Sequence, residues 1–244
     1  MNPLVIAPGG FFDENWFKEF LSKSSEWPDV VTRHVYNLGS EIYLHGHIPD
    51  KILYPTYLDG AAGTFSSLKN VLQSSQTSAK SWVGEAGGAY SSGRYLVSNA
   101  FVNSFWYLNQ LGMSATYGTT TYCRQTLIGG NYGLLNTATF MPNPDYYYSA
   151  LLWHRLMGSH VLSTTFYGTK KIRTYAHCAK ETKGVTVLFL NLDNSTIVEA
   201  RMSFHFGDIP PLNPIHVDPS KPVPVAPLSI VFAHIPDIIT KVCS

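Results

Sequence analysis

The sequence is poor in charge, and what it lacks excludes several classes of protein. Charged residues make up only 14% of the 244-residue chain, and the formal net charge is +1. Because Lys and Arg form no stripe or patch, the chain lacks the electrostatic footprint of a nucleic-acid-binding protein. No apolar run reaches the roughly 18 residues that are typical of a membrane-spanning helix.

Sequence motifs for cofactor and metal chemistry are also missing. The chain contains no phosphate-binding P-loop, no dinucleotide-binding glycine motif after a strand and no serine-hydrolase nucleophile elbow. Its three cysteines, Cys123, Cys178 and Cys243, form no cluster with zinc-site spacing. We therefore predict neither a metal nor a cofactor. The first residues lack the basic region and long apolar core of a signal peptide, so we predict none.

Aromatic residues, by contrast, are abundant. They make up 14% of the chain, with 15 Tyr and 5 Trp. Tyr and Trp combine an apolar ring with a polar tip, which suits the flat C–H faces and hydroxyl edges of sugars. Most of these rings are nevertheless expected in the core, so composition only suggests a carbohydrate ligand.

Up to about residue 158, strand-like runs alternate with helical patterns. The predicted strands are 4–6, 29–36, 82–83 and 113–126, and the predicted helices are 13–21, 65–75, 97–111 and 145–157. This alternation predicts four parallel strand–helix units. A closed (β/α)8 barrel requires eight such units, so the four units predict only half of a barrel.

After Gly158 the pattern changes to short alternating strands. They are predicted at 161–164, 172–175, 185–190, 201–206 and 228–233, with a Pro-rich loop over 209–227. Such a series is typical of a small antiparallel β-sandwich. We therefore predict two domains, residues 1–158 and residues 159–244.

One carboxylate, Glu85, follows the apolar run Trp82–Val83 and precedes a loop of Gly, Ala and Ser that ends at Gly93. An acid in that place is unfavourable unless something uses or pairs it. The carboxyl ends of barrel strands carry the chemistry, which favours a catalytic role. The alternative is a structural Glu that caps a neighbouring helix or pairs with an Arg.

Several long segments resemble one protein family over nearly the whole chain. They read PLVIAPGGFFDENWF, VVTRHVYNLG, WVGEAGGAY, SFWYLNQLGMSA, YCRQTLIGGNYGLL, PNPDYYYSALLWHRLMG and YAHC. These segments resemble the plant heparanase-like proteins of glycoside hydrolase family 79, relatives of animal heparanase and microbial β-glucuronidases. The resemblance implies a (β/α)8 barrel followed by a β-sandwich, with strands 5–8 and a shortened sandwich in this chain. It also implies retaining hydrolysis of β-glucuronosides or related acidic glycans.

The same resemblance makes Glu85 the nucleophile, because it stands in the family's W-x-G-E motif at the end of barrel strand 7. Retaining glycosidases place a second carboxylate about 5–5.5 Å away. In this family it follows an Asn at the end of strand 4, and no Asn-Glu pair occurs in this sequence. We therefore expect a truncated form with impaired activity, whose stable folding could require the missing half. The alternative is a non-catalytic fragment that binds glycans or a partner.

A group of residues matches the family's substrate site. Tyr90 and the amides of Ser91 and Ser92 match the loop that binds the glucuronate carboxylate, and Tyr132 matches a second Tyr of that site. Hydroxyl and amide donors around an anion form charge-assisted hydrogen bonds, which agrees with this role. For Tyr132 the alternative is an ordinary core ring.

Two further strand ends match the family's site. His34 and Tyr36 match the end of strand 6, where Tyr36 would hold an oxygen of the nucleophile and His34 could instead be a buried, satisfied histidine. Gln125 matches the end of strand 8 and could reach the substrate, whereas Arg124 could be a structural ion-pair partner. Arg33 departs from the family, whose plant members usually carry His there.

The resemblance also implies features of maturation. Cys178 and Cys243 match a family disulfide, which leaves Cys123 as an odd thiol that we expect to be buried. Asn194 begins an N-glycosylation sequon, Asn-Ser-Thr. The family implies a secreted or lysosome- or vacuole-like location and possible peripheral membrane association. Its implied ligands are glucuronate-containing oligosaccharides, proteoglycans or glucuronide conjugates.

Overall fold

The computed structural model describes residues 3–40, 48–201, 221–236, 238 and 242–243. The chain divides into two units. One comprises Met1–Ile52 and Thr56–Asp145, and the other comprises Leu53–Pro55 and Tyr146–Ser244. This division falls earlier than the boundary predicted at residue 158, because the helical segment after Asp145 belongs to the second unit. The assignment of a half-barrel and a sandwich to the two domains stays a prediction.

Helices and strands follow one another through the first part of the chain. In order they are α1 Glu14–Ser24, β1 Val30–His34, β2 Gly39–Ser40, α2 Ile48–Ile52, α3 Pro55–Asp59, α4 Ala61–Ser74, β3 Lys80–Ala86, β4 Ala89–Tyr90, α5 Phe101–Thr116 and β5 Thr119–Arg124. Strands β1, β3 and β5 form a parallel sheet with β3 in the centre. The carboxyl ends of three strands therefore meet at one edge of the sheet.

The segment before α1, whose residues 4–6 the sequence predicts as a strand, lies beside β1 and is largely exposed. Ile6 forms an isolated parallel bridge with Val30, and Phe11 forms another with His34. Leu4, Val5 and Ile6 are each about half exposed, at 59%, 50% and 48%. An apolar run predicts strand conformation without specifying which of its faces are covered.

Helix α1 shows which parts of a helical pattern determine packing. The Asp13 side chain caps the helix by accepting a hydrogen bond from the Trp16 amide at 2.8 Å. Phe17 and Leu21 are buried, whereas Trp16 is exposed and stacks on Phe20. The buried face of α1 is therefore narrower than the set of four apolar residues at 16, 17, 20 and 21.

Helices α4 and α5 supply much of the core of the first unit. Phe65, Leu68 and Val71 of α4 are buried, as their spacing predicts. In α5 every residue from 103 to 114 is buried, and the helix continues to Thr116, where a strand was predicted to begin at 113. None of the helices in the described ranges has the length and hydrophobicity needed to cross a membrane.

The second unit is built mainly from antiparallel strands. It contains a π-helix Tyr146–Leu151, α6 Leu152–Leu156, β6 Met157–Leu162, β7 Ile172–Ala179, β8 Val185–Asn191, β9 Val198–Ala200, β10 Val223–Val225 and β11 Ser229–Ile235. One sheet has the order β11–β8–β7–β6, and β9 pairs with β10. The strand predicted for 201–206 lies, beyond Arg201, outside the described residues, and part of the predicted 209–227 loop is strand β10.

The three cysteines are divided between the two units. Cys178 of β7 forms a disulfide with Cys243, as the resemblance implied. Cys123 of β5 is a free thiol and is exposed, so the expectation that it is buried was wrong. Successive side chains of a strand point to opposite faces, and Tyr122, the preceding residue, takes the buried face.

Candidate active site

Glu85 lies near the carboxyl end of β3, the central strand of the parallel sheet. In the two strand pairings, His34 of β1 faces Glu85, and Arg124 of β5 faces Ala86. The register shifts beside both pairs, and such irregularities re-aim side chains at the end of a strand. The sheet therefore brings residues from three distant parts of the chain to the carboxylate.

One oxygen of Glu85 is held by an aromatic hydroxyl. Tyr36 donates its hydroxyl hydrogen to Glu85 Oε1 at 2.7 Å, and His34 Nδ1 lies 3.9 Å from the same oxygen. The Glu85 side chain is 35% exposed. Burial of Tyr36, then its hydrogen bond to Glu85 and the negative charge of that carboxylate, raises the pKa of Tyr36 well above its ordinary value. Tyr36 is therefore a protonated donor at any physiological pH.

Gly87 brings three predicted site residues against the end of the Glu85 strand. A Cβ atom at this position would lie 2.9 Å from Tyr36 Cε1 and 3.2 Å from both the Gln125 carbonyl oxygen and Tyr132 Cδ1. No larger residue fits without displacing backbone or rings. Tyr36, Gln125 and Tyr132 therefore surround a point two residues after Glu85.

Gln125 and Tyr132 are in direct contact with each other. The Gln125 amide nitrogen Nε2 donates to the Tyr132 hydroxyl at 3.2 Å, and the Gln125 backbone N–H donates to the Ala86 carbonyl at 2.9 Å. Tyr132 is mostly buried. Its ring is thus partly a core ring, which was the alternative interpretation of the sequence. Its hydroxyl also belongs to the polar group formed with Gln125.

The loop that follows β4 is joined to the loop that contains Tyr132. Asn131 donates from its backbone N–H to the Ser92 carbonyl at 2.7 Å and from Nδ2 to the Gly93 carbonyl at 3.1 Å. Ser91 and Ser92 are exposed and adopt left-handed backbone conformations, with φ of 61° and 72°. Such φ values are unusual outside glycine, and here they turn the chain sharply beside Tyr132.

Tyr90 occupies a short strand next to this loop. Strand β4 pairs in parallel with β2, where Tyr90 faces Ser40. The Tyr90 side chain is 42% exposed, so its hydroxyl can reach a ligand in solvent. The sheet edge therefore carries one carboxylate with hydroxyl and amide donors on the loops around it.

Comparison with known proteins connects this arrangement to one family. The profile described as "Glycosyl hydrolase family 79, N-terminal domain" matches residues 1–112. Heparanase-like protein 3 of Arabidopsis thaliana is 46% identical over 99% of this chain and 56% of its own length. The chain belongs to glycoside hydrolase family 79. Baicalin-beta-D-glucuronidase of Scutellaria baicalensis is 44% identical over 96% of this chain and 50% of its own length.

The family 79 chain spans about half the length of these curated relatives. Among solved structures, a bifunctional glucanase-xylanase from a metagenome library aligns with a TM-score of 0.64 at 12% identity. That alignment covers 96% of this chain and 56% of the other. At such low identity the likeness shows the fold alone, which is that of glycoside hydrolases.

The structure of the family 79 chain sorts the predicted residues into two sets. His34, Tyr36, Gln125 and Tyr132 lie at or next to the strand end that carries Glu85. Tyr90, Ser91 and Ser92 lie on the adjoining exposed segment, which Asn131 fastens to the Tyr132 loop. The catalytic and binding roles of all eight residues, Glu85 included, stay predictions.

Sequence reasoning missed two contributors to this site. The exposed ring of Phe11 lies 6.2 Å from the rings of both His34 and Tyr36, and the Gly10 carbonyl accepts the His34 backbone N–H at 2.7 Å. Asn37 accepts a hydrogen bond from Trp106 Nε1 at 2.8 Å, which ties the chain after Tyr36 to α5. The Gly9–Gly10 pair before Phe11 was the available signal, since paired glycines permit close approach of backbone.

Arg124 is the structural ion-pair partner that the sequence allowed. Its guanidinium lies 3.1 Å from Asp145 Oδ2, and the two side chains are 4% and 0% exposed. Asn103 also donates to Asp145 Oδ2 at 3.0 Å. The pair is therefore buried, charge-balanced and hydrogen-bonded, which is the condition under which charges are stable in a protein interior.

Proposed function

We propose that this chain carries the nucleophile of a retaining glycosidase that acts on β-glucuronosides, and that the nucleophile is Glu85. The observation that supports this best is the 2.7 Å hydrogen bond from Tyr36 to Glu85 Oε1 at the carboxyl end of a parallel strand. Among the described residues, the hydrogen bond from Tyr36 and the nearby ring nitrogen of His34 both involve Oε1 of Glu85. A carboxylate oriented through one oxygen can present the other to an anomeric carbon.

In the proposed reaction, an oxygen of Glu85 attacks the anomeric carbon and the bond to the leaving-group oxygen breaks. The electron pair of that bond stays with the leaving group, and a glycosyl ester of Glu85 forms. Water then attacks the same carbon, gives up a proton and releases Glu85 as a carboxylate. Tyr36 would hold Glu85 in place through both steps.

Glucuronate is the proposed sugar, because donors rather than acids surround the strand end. The hydroxyls of Tyr132 and Tyr90 and the Gln125 amide can donate hydrogen bonds to a sugar carboxylate. The names of the relatives support this choice, since one is a baicalin glucuronidase and others are heparanase-like proteins. Glucuronide conjugates, oligosaccharides and proteoglycans are the substrate classes that follow.

We also infer that the chain holds the second half of a (β/α)8 barrel and a small β-sandwich, and that the general acid/base lies outside it. The sequence contains no Asn-Glu pair. Several described carboxylates are engaged elsewhere: Glu14 pairs with Lys18, Glu19 pairs with Lys23, Asp13 caps α1, and Asp145 pairs with Arg124. Activity of this chain alone is therefore expected to be weak on ordinary substrates.

Covalent labelling tests the nucleophile without requiring the acid/base. A 2-fluoro-β-glucuronyl fluoride has a leaving group that needs little protonation, and its glycosyl ester hydrolyses slowly. We expect one label per chain, located on Glu85 by peptide mass spectrometry, and no label in Glu85→Gln. A label on another residue, or equal labelling of the variant, would remove Glu85 from this role.

A non-catalytic glycan-binding fragment is the second candidate function. The missing Asn-Glu pair favours it, because a retaining enzyme without its acid/base loses roughly 100- to 10,000-fold in rate. Titration calorimetry with a thio-β-glucuronide, whose glycosidic bond resists cleavage, separates the two candidates. Binding without labelling supports the fragment, whereas labelling of Glu85 supports the enzyme.

We propose that the protein matures in the secretory pathway, reaches an extracellular or lysosome- or vacuole-like compartment and associates peripherally with a membrane there. The Cys178–Cys243 disulfide supports an oxidising compartment. Asn194 is exposed in a turn and is therefore accessible to glycosylation. Expression in a secreting host, with Asn194→Gln as the control, tests this: a mass decrease on deglycosylation that the variant lacks is the expected result.

A further inference from the structure

Arg124 does more than neutralise Asp145, because its guanidinium contacts three separate backbone segments. Nη1 donates to the carbonyl oxygen of Ala86 at 3.5 Å and to that of Gln125. Nη2 donates to the Tyr132 carbonyl at 3.0 Å and to Asp145 Oδ2 at 3.1 Å. The two terminal nitrogens thus connect the end of β3, the end of β5 and the loop that contains Tyr132.

The guanidinium is also fixed in its plane. It lies over the rings of Trp106 and Tyr107, with centroid distances of 5.4 and 5.1 Å. Cation–π contacts of this kind are strongest where water is excluded, and Arg124 is almost entirely buried. Asp145, held in turn by Asn103, sets the position of Nη2. The side chain is therefore a rigid connector with little freedom to follow a moving loop.

The connected segments are those that carry the proposed site. Ala86 directly follows Glu85 in β3, and Tyr132 is fastened at both ends, through its carbonyl by Arg124 and through its hydroxyl by Gln125. One guanidinium therefore sets the spacing between the nucleophile's strand and the proposed carboxylate-binding tyrosine. A Lys cannot replace it, because an ammonium offers its donors from a single point whereas guanidinium offers a planar fork.

We propose that Arg124, held by Asp145, is a positioning residue that fixes the Tyr132 loop relative to the Glu85 strand and thereby sets the affinity of the site for a glucuronate carboxylate. The affinity part of this inference rests on the proposed function. The positioning part rests only on the contacts of Arg124 and can be measured without a ligand.

Hydrogen–deuterium exchange on the full chain tests the positioning part. The variants are Arg124→Lys, Arg124→Gln and Asp145→Asn. Arg33→Lys is the matched control, because Arg33 is also fully buried over an aromatic ring, 4.6 Å from the Phe65 centroid, but its guanidinium donates to the Ser81 hydroxyl and not to the Tyr132 loop. Both Arg124 variants lose hydrogen bonds that the charged guanidinium donates to backbone carbonyls. We therefore expect peptides covering 125–134 to exchange about tenfold faster in these variants than in the wild type. Peptides of β1 should be unchanged, and Arg33→Lys should leave 125–134 unchanged.

Three outcomes would overturn the positioning role: wild-type exchange over 125–134 in Arg124→Lys, a uniform rise across the first unit, or the same local rise in Arg33→Lys. If the Arg124 variants do not fold, Asp145→Asn carries the test, because it keeps the shape and an acceptor while removing the charge. Its expected result is the same local rise, smaller in size.

Binding of a thio-β-glucuronide then tests the affinity part. We expect the dissociation constant to rise about tenfold in Arg124→Lys, which matches the loss of an ordered charge-assisted contact, and to stay within about twofold in Arg33→Lys. An unchanged constant in Arg124→Lys would overturn this part. If the wild-type chain does not bind the glucuronide, the proposed function fails, and the exchange result still decides whether Arg124 orders the loop.

Discussion

Tyr36 illustrates how one contact gives a residue a definite chemical state. Burial, the hydrogen bond to Glu85 and the charge of that carboxylate all raise the pKa of the phenol. The hydroxyl therefore keeps its proton and donates a hydrogen bond to Glu85 Oε1 at 2.7 Å. A donor that never titrates in the working range can orient the carboxylate without making that orientation dependent on pH.

Replacement of Tyr36 by Phe removes this donor and keeps the ring. A hydrogen bond to a charged group contributes about 1.5–3 kcal/mol, so the rate of covalent labelling at Glu85 should fall about 10- to 100-fold. Tyr57→Phe is the control, because Tyr57 also donates a 2.7 Å hydrogen bond, to the neutral Asn37 carbonyl. If both variants lose labelling equally, the Tyr36 effect is structural rather than local to the nucleophile.

Asp193 titrates in the turn that carries the glycosylation sequon. Hydrogen bonds from the Ser195 and Thr196 backbone N–H groups, and then from the Ser195 hydroxyl, lower its pKa to about 2. Since the folded-state pKa lies below the ordinary value of 3.8, the stabilising effect of the ionised carboxylate is complete above that value and is lost as pH falls toward about 2. Amide shifts of Ser195 and Thr196 should titrate together near pH 2 and not titrate in Asp193→Asn. A midpoint near 4 would contradict the hydrogen-bonded turn.

At the scale of elements, the periodicity of the sequence predicted which segments are helices and strands better than it predicted the residues at which they begin and end. The buried positions of α4, Phe65, Leu68 and Val71, follow from their spacing. Strand β5 begins only at Thr119, because α5 runs to Thr116 and the chain turns at Gly118, where φ is +84°. The Thr- and Tyr-rich sequence that favours strand begins only at Tyr117, and residues 113–116, which read Met-Ser-Ala-Thr, continue the helix that is buried over 103–114.

The segment after Asp145 shows a second limit of pattern reading. The sequence predicts a helix over 145–157, and the structure has a π-helix at Tyr146–Leu151, a short α-helix and then strand β6 from Met157. A π-helix is rare and occurs mostly as a short insertion in α-helices, so a helical pattern by itself predicts an α-helix. Similarly, the burial of Arg33 over Phe65 could not be read from a charged residue in a strand.

The disulfide links strand β7 to Cys243 across 65 residues of sequence. In the chain-entropy model a loop of that length stabilises the folded state by roughly 4 kcal/mol. Replacing both cysteines by Ser, or reducing the protein, should therefore lower the free energy of unfolding of the second unit by about this amount in denaturant titration. Cys123→Ser is the control, because that thiol is free and exposed. An equal loss in the control would show that thiol chemistry, not the cross-link, is responsible.

At the scale of the whole molecule, the site depends on contacts that no local sequence pattern encodes. The Tyr132 ring leaves no room for a side chain at Gly87, although the two residues are far apart in the chain. Arg124 contacts Ala86, Tyr132 and Asp145, which belong to three different segments. The resemblance to family 79 supplied Glu85, Tyr36 and Tyr132 as candidates. The reason that Gly87 must be glycine, and the role of Arg124 as a connector, emerged only from the packed structure.

The distribution of carboxylates over the whole chain leads to a final prediction about catalysis. As the proposed nucleophile, Glu85 would form a glycosyl ester without help when the leaving group departs unaided, whereas a poor leaving group requires a proton from a second carboxylate. We expect dinitrophenyl β-glucuronide to give a burst of about one dinitrophenolate per chain, followed by slow turnover that azide accelerates, with glucuronyl azide as product. An alkyl β-glucuronide should react slower by roughly 100- to 10,000-fold or more.

Glu85→Gln, the control, should give no burst. Efficient cleavage of the alkyl glucuronide, unaffected by azide, would show that this chain contains a functioning acid/base and would overturn the inference that it lies elsewhere.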